Sequence, residues 1–136
     1  MDIRHLNFLP WTKALHAAGA PAKIRNARGY WGVAEGHEGR VVCSVWSDHC
    51  DGVVGKASIP HINKGGYREA ASALISGDEV IVVLRSRVSN EGSVLPTLWR
   101  VDCIDLNKTH SNNVGWLFLS KTNIQIGTIS HPTKEN

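Results

Sequence analysis

Side chains that commonly bind metals are concentrated in one glycine-rich stretch, Ser47 to Gly66. Its candidate ligands are Asp48, His49, Cys50, Asp51 and His61. Carboxylate, imidazole and thiolate groups are the usual ligands of zinc and other divalent cations. A closed zinc site uses four ligands in paired spacings such as CxxC, whereas six residues separate Cys43 from Cys50. We therefore expect a surface loop that needs no metal to fold, and we predict no cofactor.

The same stretch raises two catalytic hypotheses. His49, His61 and Asn63 are residue types of an HNH nuclease, in which one histidine activates water and others hold the metal. Such a site needs a ligand-bearing helix after its loop, and the helix predicted at Tyr67–Ile75 contains neither His nor Asn. Cys50 with His49 and His61 would supply a thiol nucleophile and its base. A metal-dependent nuclease stays a second alternative, although the spacing favours a protein without enzymatic activity.

Cations and aromatic residues occur together in three other segments. They are Lys23, Arg25 and Arg28 before Tyr30 and Trp31, then Arg85 with Arg87 on one strand face, and then Trp99 with Arg100. A single strand or a flipped base needs positive charge for its phosphates and flat faces for its bases. We predict that these residues form a concave, basic, aromatic-lined face that binds nucleic acid. The alternative is that the aromatic rings belong to the core and the arginines protect a sheet edge.

The same residue types also suit a protein interface. Trp, Tyr and Arg dominate the binding energy of protein complexes. A non-enzymatic interaction module, such as an inhibitor, an immunity protein or an accessory subunit, is therefore the first alternative. Fifteen Lys+Arg against twelve Asp+Glu give a net charge of only +3, less than we expect of an obligate DNA-binding protein. Composition does not decide between the two partners.

Composition and length are those of an ordinary globular protein. Hydrophobic residues make up 42% and charged residues 20% of 136 residues, which predicts a single domain, 1–136, with a frayed tail at 131–136. The N-terminus lacks the apolar segment of a signal peptide, and the run Val80–Leu84 is too short to cross a bilayer. Three irregularly spaced cysteines predict reduced thiols, with Cys43 and Cys103 buried. We expect a cytoplasmic protein without a membrane partner.

Hydrophobic periodicity predicts two helices and six strands. The helices are Pro10–Ala18 and Tyr67–Ile75, which end at Gly19 and Gly77. The strands are Tyr30–Ala34, Arg40–Trp46, Glu79–Val88, Leu98–Leu106, Val114–Leu119 and Asn123–Ile129. Glu79–Val88 is predicted as the central strand, antiparallel to Leu98–Leu106 across a polar tip at Ser89–Ser93. This order predicts an α+β fold, a small curved antiparallel sheet or β-barrel with two short helices.

One segment resembles a known family. The helix that ends in Gly-Asp and runs into an apolar strand, ALISGDEVIVVL, is similar to the core of PUA-like domains of the EVE and ASCH type. LWRVDCIDL lies where such domains bring a further strand back, and RGYWGVAEG is similar to the first strand of an EVE domain. The resemblance covers Tyr30 to Leu106 and implies a small β-barrel that binds RNA or a modified base. The charged signature of the ASCH family is absent, and no aromatic cage is assigned.

Overall fold

The elements of the fold were located in a computed structural model. It describes residues 7–21, 23, 24, 30–35, 37, 39–60, 70, 71, 73–105 and 113–126. In chain order these residues form β1 (Leu9–Pro10), α1 (Trp11–Ala17), β2 (Trp31–Val33), β3 (Val41–Trp46), a 3₁₀ turn (Ser47–His49), β4 (Val54–Pro60), β5 (Glu79–Arg85), β6 (Glu91–Val94), β7 (Thr97–Asp105) and β8 (Asn113–Gln125).

Helix α1 confirms the first predicted helix. Pro10 precedes it, where a missing backbone N–H costs nothing. Trp11, Ala14 and Leu15 are buried on one face, so the apolar spacing of the sequence is the spacing of contacts with the sheet. Gly19 follows the helix with a φ of +99°, a left-handed conformation that favours glycine as a helix terminator.

Strand β5 is central, as predicted, because it pairs with β3, β6 and β7. Its pairing with β3 is parallel, so the predicted all-antiparallel sheet is corrected. Residues Val80, Val82 and Leu84 face one hydrophobic cluster, and the alternate residues Ile81 and Val83 face the cluster under α1. A strand covered on both faces needs apolar side chains at every position, which explains the continuous apolar run.

The hairpin after β5 differs from the prediction. Its turn is at residues 86–90, and β6 occupies most of the segment that was predicted as the tip. Strand β6 pairs with residues 83–85 of β5, whereas β7 pairs only with Glu79 and Val80. Leu95, between β6 and β7, still donates its backbone N–H to the Val82 carbonyl at 3.0 Å. The register of pairing with β5 changes between β6 and β7. Strands β6 and β7 therefore pair with different parts of β5.

The second half of the sheet is built from β7, β8 and β4. Strand β8 runs without a break from the predicted strand Val114–Leu119 into the start of the predicted strand Asn123–Ile129, and it pairs with both neighbours. Residues 127–129 lie outside the described part of the chain. Strand β4 lies within the predicted Ser47–Gly66 loop, so that prediction was wrong for this part. Its inward residues Gly55 and Ala57 are small, and a Cβ at Gly55 would lie 3.3 Å from the Cys50 side chain. This weak apolar pattern hid the strand.

The sheet curls into a half-barrel, with β4 at one edge in the order β6, β5, β7, β8, β4. A bridge between Cys50 and Gly55 joins the end of the 3₁₀ turn to β4. The inner face packs around Trp99, Val101, Leu117 and other apolar residues. The half-barrel and the helix agree with the predicted α+β class.

Several predictions fall outside the described residues. Of the second predicted helix, Tyr67–Ile75, residues 70, 71 and 73–75 are described. Ala70 and Ala71 are helical, whereas residues 73–75 are not, so the predicted end of this helix at Ile75 was wrong. Gly77, its predicted end, has a φ of +98°. The tail at 131–136 lies outside as well. Among the described helices none is long and apolar enough to traverse a bilayer.

Candidate functional site

The aromatic residues predicted as stacking platforms are buried. Tyr30, Trp31 and Trp99 expose 6%, 2% and 0% of their surface. Trp31 and Trp99 belong to the inner cluster of the half-barrel, and Tyr30 packs in the cluster under α1. Burial, together with the charge of Glu35, raises the pKa of Tyr30. A base cannot reach these rings in this fold, so the predicted stacking role is corrected in favour of the alternative that they are core residues.

The predicted pair of arginines converges on one indole ring. Arg85 ends β5 opposite Trp46 of β3, and its guanidinium carbon lies 5.2 Å from the Trp46 ring and 4.9 Å from the Trp11 ring. Arg87 follows the end of the strand, so it does not share a strand face with Arg85, but it lies 4.1 Å from the same Trp46 ring. Trp11 in turn lies so close to Gly92 that a Cβ there would be 2.5 Å from its ring. The resulting cation–π stack connects α1 to the sheet.

Arg87 also joins this stack to the 3₁₀ turn. Its Nε donates a hydrogen bond to Oδ1 of Asp48 at 2.8 Å, and its Nη2 lies 3.5 Å from Nε2 of His49. The hydrogen bond from Arg87 lowers the pKa of Asp48. Burial lowers the pKa of His49, and the charges of Arg87 and Lys56 act in the same direction, whereas Asp48 opposes them. The imidazole therefore favours its neutral form.

Two aromatic side chains of β8 lie on the outer face of the half-barrel. Leu117 and Leu119 point into the inner cluster, so Trp116 and Phe118 alternate with them on the opposite face, where both are half-buried. Two residues of a strand span about 7 Å, so the two rings are placed to contact different groups of one ligand. This aromatic pair is the principal feature that the sequence reasoning missed.

Polar side chains from two other elements contact Trp116. The Nζ of Lys56 on β4 lies 4.5 Å above the ring centroid. The ring of His49 meets it edge-on, with 5.4 Å between centroids and an angle of 79° between planes. Lys56 thus connects the outer face of β8 to β4, and His49 connects it to the 3₁₀ turn.

An open cleft of about 560 Å³ adjoins this aromatic pair. It is lined by Asp48, His49, Cys50, Asp51, Val54, Gly55, Lys56, Asp102, Phe118 and Leu119. The volume falls in the range of small-ligand sites. The 3₁₀ turn and β4 therefore form one side of a cleft whose other side comes from β7 and β8.

Within the described part of the chain, three of the cations adjoin the cleft. Lys56 lines it directly, and Arg87 is bonded to Asp48. Arg100 places its Nε 3.5 Å from Oδ1 of Asp102. Two of the predicted cations, Arg87 and Arg100, are therefore each paired with a carboxylate of the same cleft, although Arg87 follows β5 and Arg100 lies on β7. Sequence reasoning selected both arginines but could not place them together.

The remaining predicted cations and metal ligands are not brought to this cleft. Lys23 is exposed and does not line it, and Arg25, Arg28 and His61 lie outside the described residues. Within the described ranges, no three His, Cys, Asp or Glu side chains are grouped so that they would hold a metal ion.

The cysteines have unequal environments. Cys43 is buried, as predicted, and its burial raises the pKa of the thiol to about 12. Cys103 is exposed, so its predicted burial was wrong, because it follows a register irregularity in β7. Cys50 is buried, and this burial raises its pKa. The Cys50 thiol stays protonated at neutral pH, which removes the basis for a thiol nucleophile.

Comparison with known proteins identifies no relative. No protein family, no curated protein and no solved structure matches the chain. The resemblance to PUA-like domains therefore stays a prediction, and the arguments about function rest on the geometry of the cleft and of the outer face.

Proposed function

We propose that this protein binds single-stranded nucleic acid on the outer face of β7, β8 and β4. Trp116 and Phe118 stack against bases, and Lys56, Arg87 and Arg100 contact the phosphates. One observation carries the proposal: a half-buried aromatic pair adjoins a cleft at which these cations from separate elements converge.

The arrangement of the aromatic pair favours a single strand. Sheet surfaces with aromatic residues on neighbouring positions stack successive unpaired bases in common RNA-binding modules. In a duplex the base faces are covered by their neighbours, so Trp116 and Phe118 would have no stacking partner there. Lys56 covers one ring in the free protein. An incoming base displaces its ammonium group toward a phosphate.

The charge of the cleft sets the expected salt dependence. Asp48, Asp51 and Asp102 line the cleft, and they balance the charges of the adjoining Lys56, Arg87 and Arg100. A balanced site attracts phosphates weakly, so stacking, at about 1–3 kcal/mol per base, supplies most of the affinity. Each phosphate contact adds about 0.7 to the slope of log K against log salt concentration.

A fluorescence titration tests the proposal. Labelled single strands and duplexes of DNA and RNA, each about ten nucleotides long, are titrated at about 50 mM and about 200 mM salt. We expect single strands to bind more tightly than duplexes. Phe118→Ala should weaken binding by about 1–3 kcal/mol. Phe8→Ala, an aromatic truncation outside the cleft, is the control. If no strand binds more tightly than about 100 μM at the lower salt, the proposal is wrong.

A protein partner is the second candidate. Val53, Val54 and Val88 expose 59%, 51% and 94% of their surface, and they lie next to the cleft residues or to Arg87. Exposed aliphatic groups beside Trp and Arg favour a protein interface. Replacing Val53 and Val88 with Ser should leave oligonucleotide binding unchanged if the first proposal holds. A loss of oligonucleotide binding in that variant would show that the nucleic-acid contact extends to the valines, so they would not be a separate surface for a protein partner.

A cytoplasmic location belongs to the same proposal. Cys43, Cys50 and Cys103 are all free thiols. A reducing compartment preserves free thiols. We propose no catalytic activity, since the imidazole of His49 and the thiol of Cys50 lack the environment of an activated nucleophile and its base.

A further inference from the structure

We infer that the cleft discriminates among bases, and that Asp102 makes it prefer bases with an amino group over uracil and thymine. The inference rests on the proposed function, and it concerns which bases the cleft accepts rather than whether a strand binds. Cytosine, adenine and guanine carry amino groups as donors, whereas uracil and thymine present carbonyl acceptors at the corresponding positions.

Asp102 can accept further hydrogen bonds. Its Oδ1 accepts the hydroxyl of Ser120 at 3.0 Å and lies 3.5 Å from Nε of Arg100. Its Oδ2 accepts no hydrogen bond from any residue in the described part of the chain. Each carboxylate oxygen has two lone pairs and no proton to donate at neutral pH. Asp102 therefore offers a ligand in the cleft acceptors only.

Asp51 contributes acceptors of the same kind. Its Oδ1 accepts the backbone N–H groups of Val53 and Val54, both at 2.8 Å, and these hydrogen bonds lower its pKa. Among the described residues none donates to its Oδ2. The turn fixes the carboxylate in place and keeps it ionised, so a second wall of the cleft is also rich in acceptors.

The cations around the cleft lie against other groups of the protein. The guanidinium of Arg87 is bonded to Asp48, and that of Arg100 lies against Asp102 and Ser120. The ammonium group of Lys56 covers the Trp116 ring. These cations keep further N–H donors for phosphates. Among the described residues none donates to Oδ2 of Asp51 or Asp102, so these oxygens stay available to the edge of a base.

Phe118 adds a flat stacking surface to the carboxylates of the cleft. Its half-buried ring lines the same cleft as Asp102, from the neighbouring strand. A base stacked on this ring lies flat, and its hydrogen-bonding edge points sideways toward the walls. An amino group then donates to a carboxylate, whereas uracil presents one donor, its N3–H, between the O4 and O2 carbonyls, whose lone pairs oppose the carboxylate.

The test compares oligocytidylate with oligouridylate of equal length, about ten nucleotides, by fluorescence titration at constant salt. The wild-type protein should bind oligocytidylate about tenfold more tightly. Asp102→Asn offers a donor as well as an acceptor, so it should reduce the preference to less than about twofold. Its affinity for oligouridylate should not fall. Glu35→Gln removes an exposed carboxylate outside the cleft and should keep the wild-type preference.

The outcomes separate the inference from the proposed function. Equal affinity of the wild-type protein for the two strands overturns the inference while the proposed function stands. A preference that survives Asp102→Asn overturns the role of Asp102. Binding of neither strand overturns both. Because the first comparison uses the unmodified protein, it does not depend on the folding of a variant, and urea unfolding of Asp102→Asn checks its fold.

Discussion

Tryptophan has a different role on each face of the half-barrel. Trp99 on β7 points inward and has no exposed surface, whereas Trp116 on the adjacent β8 points outward and is half-buried. Trp99 packs against the aliphatic residues of the core. Trp116 contacts Lys56 and His49. The register of the strands, not the residue type, decides which ring is available to a ligand, since a shift of one residue would exchange the faces.

The largest expected difference between the faces is in stability. Trp99→Ala should lower the free energy of unfolding by about 3–5 kcal/mol, because it leaves a cavity in the inner cluster. Trp116→Ala removes a partly exposed ring and its contact with Lys56, so we expect a loss of about 1 kcal/mol. Urea unfolding of both variants measures the difference. Equal losses would show that the outer ring is as much a core residue as the inner one.

Neighbouring residues of β8 sharpen the comparison. Leu117→Ala should lower the free energy of unfolding by about 2–5 kcal/mol and leave the outer face unchanged. Phe118→Ala should instead weaken binding of a single strand by about 1–3 kcal/mol, with a smaller effect on stability. Urea unfolding measures the stability of each variant, and oligonucleotide titration measures its affinity for a single strand. The assignment of the faces fails if Leu117→Ala is the variant that loses binding while its stability is unchanged.

A smaller effect is expected from the cations beside the outer face. Arg87→Ala should reduce the slope of log K against log salt concentration by about 0.7, the contribution of one phosphate contact on a single strand. Its ion pair with Asp48 is exposed, so we expect it to contribute no more than about 1 kcal/mol to stability. Lys23→Ala removes an exposed cation that does not line the cleft and should leave the slope unchanged. If the wild-type protein, Arg87→Ala and Lys23→Ala all had the same slope, Arg87 would not contact a phosphate.

The smallest expected effect is the titration of His49. Burial lowers its pKa in the folded protein below the ordinary value of about 6.5, so the unfolded chain takes up the proton first as the pH falls. The free energy of unfolding should therefore decrease as the pH drops through about 6.5. His49→Gln should show a smaller decrease than the wild-type protein when urea unfolding is compared at about pH 7.5 and about pH 5.5. A larger decrease in the variant would contradict the assigned direction.

The parts of the fold that were predictable have strong local signals. Strand β5 has a continuous apolar run, and α1 has proline at its start and glycine after its end. Strand β4 was missed because its inward positions include Gly55 and Ala57, which are small where the chain passes close to Cys50. Strand β6 was missed because Glu91, Gly92 and Ser93 resemble a polar turn, although Gly92 is required beneath Trp11.

The candidate site was less predictable than the fold. The alternation of Trp116 and Phe118 with leucines is visible in the sequence, but it does not show which set faces inward. That depends on pairing with β4 and β7, which are distant in the chain. Similarly, the sequence selects Arg85 and Arg87 as a pair, whereas their common ring, Trp46, is brought to them by a parallel strand. Parallel neighbours leave no local signal for their partner.

The most direct test of the account follows the indole N–H signals of the protein by NMR while a single strand is added. The chain contains five tryptophans, and single substitutions assign each signal. We predict that the Trp116 signal shifts progressively with oligonucleotide concentration, whereas those of Trp31 and Trp99 stay in place. No shift at Trp116, or larger shifts at the two buried indoles than at Trp116, would contradict binding on the outer face.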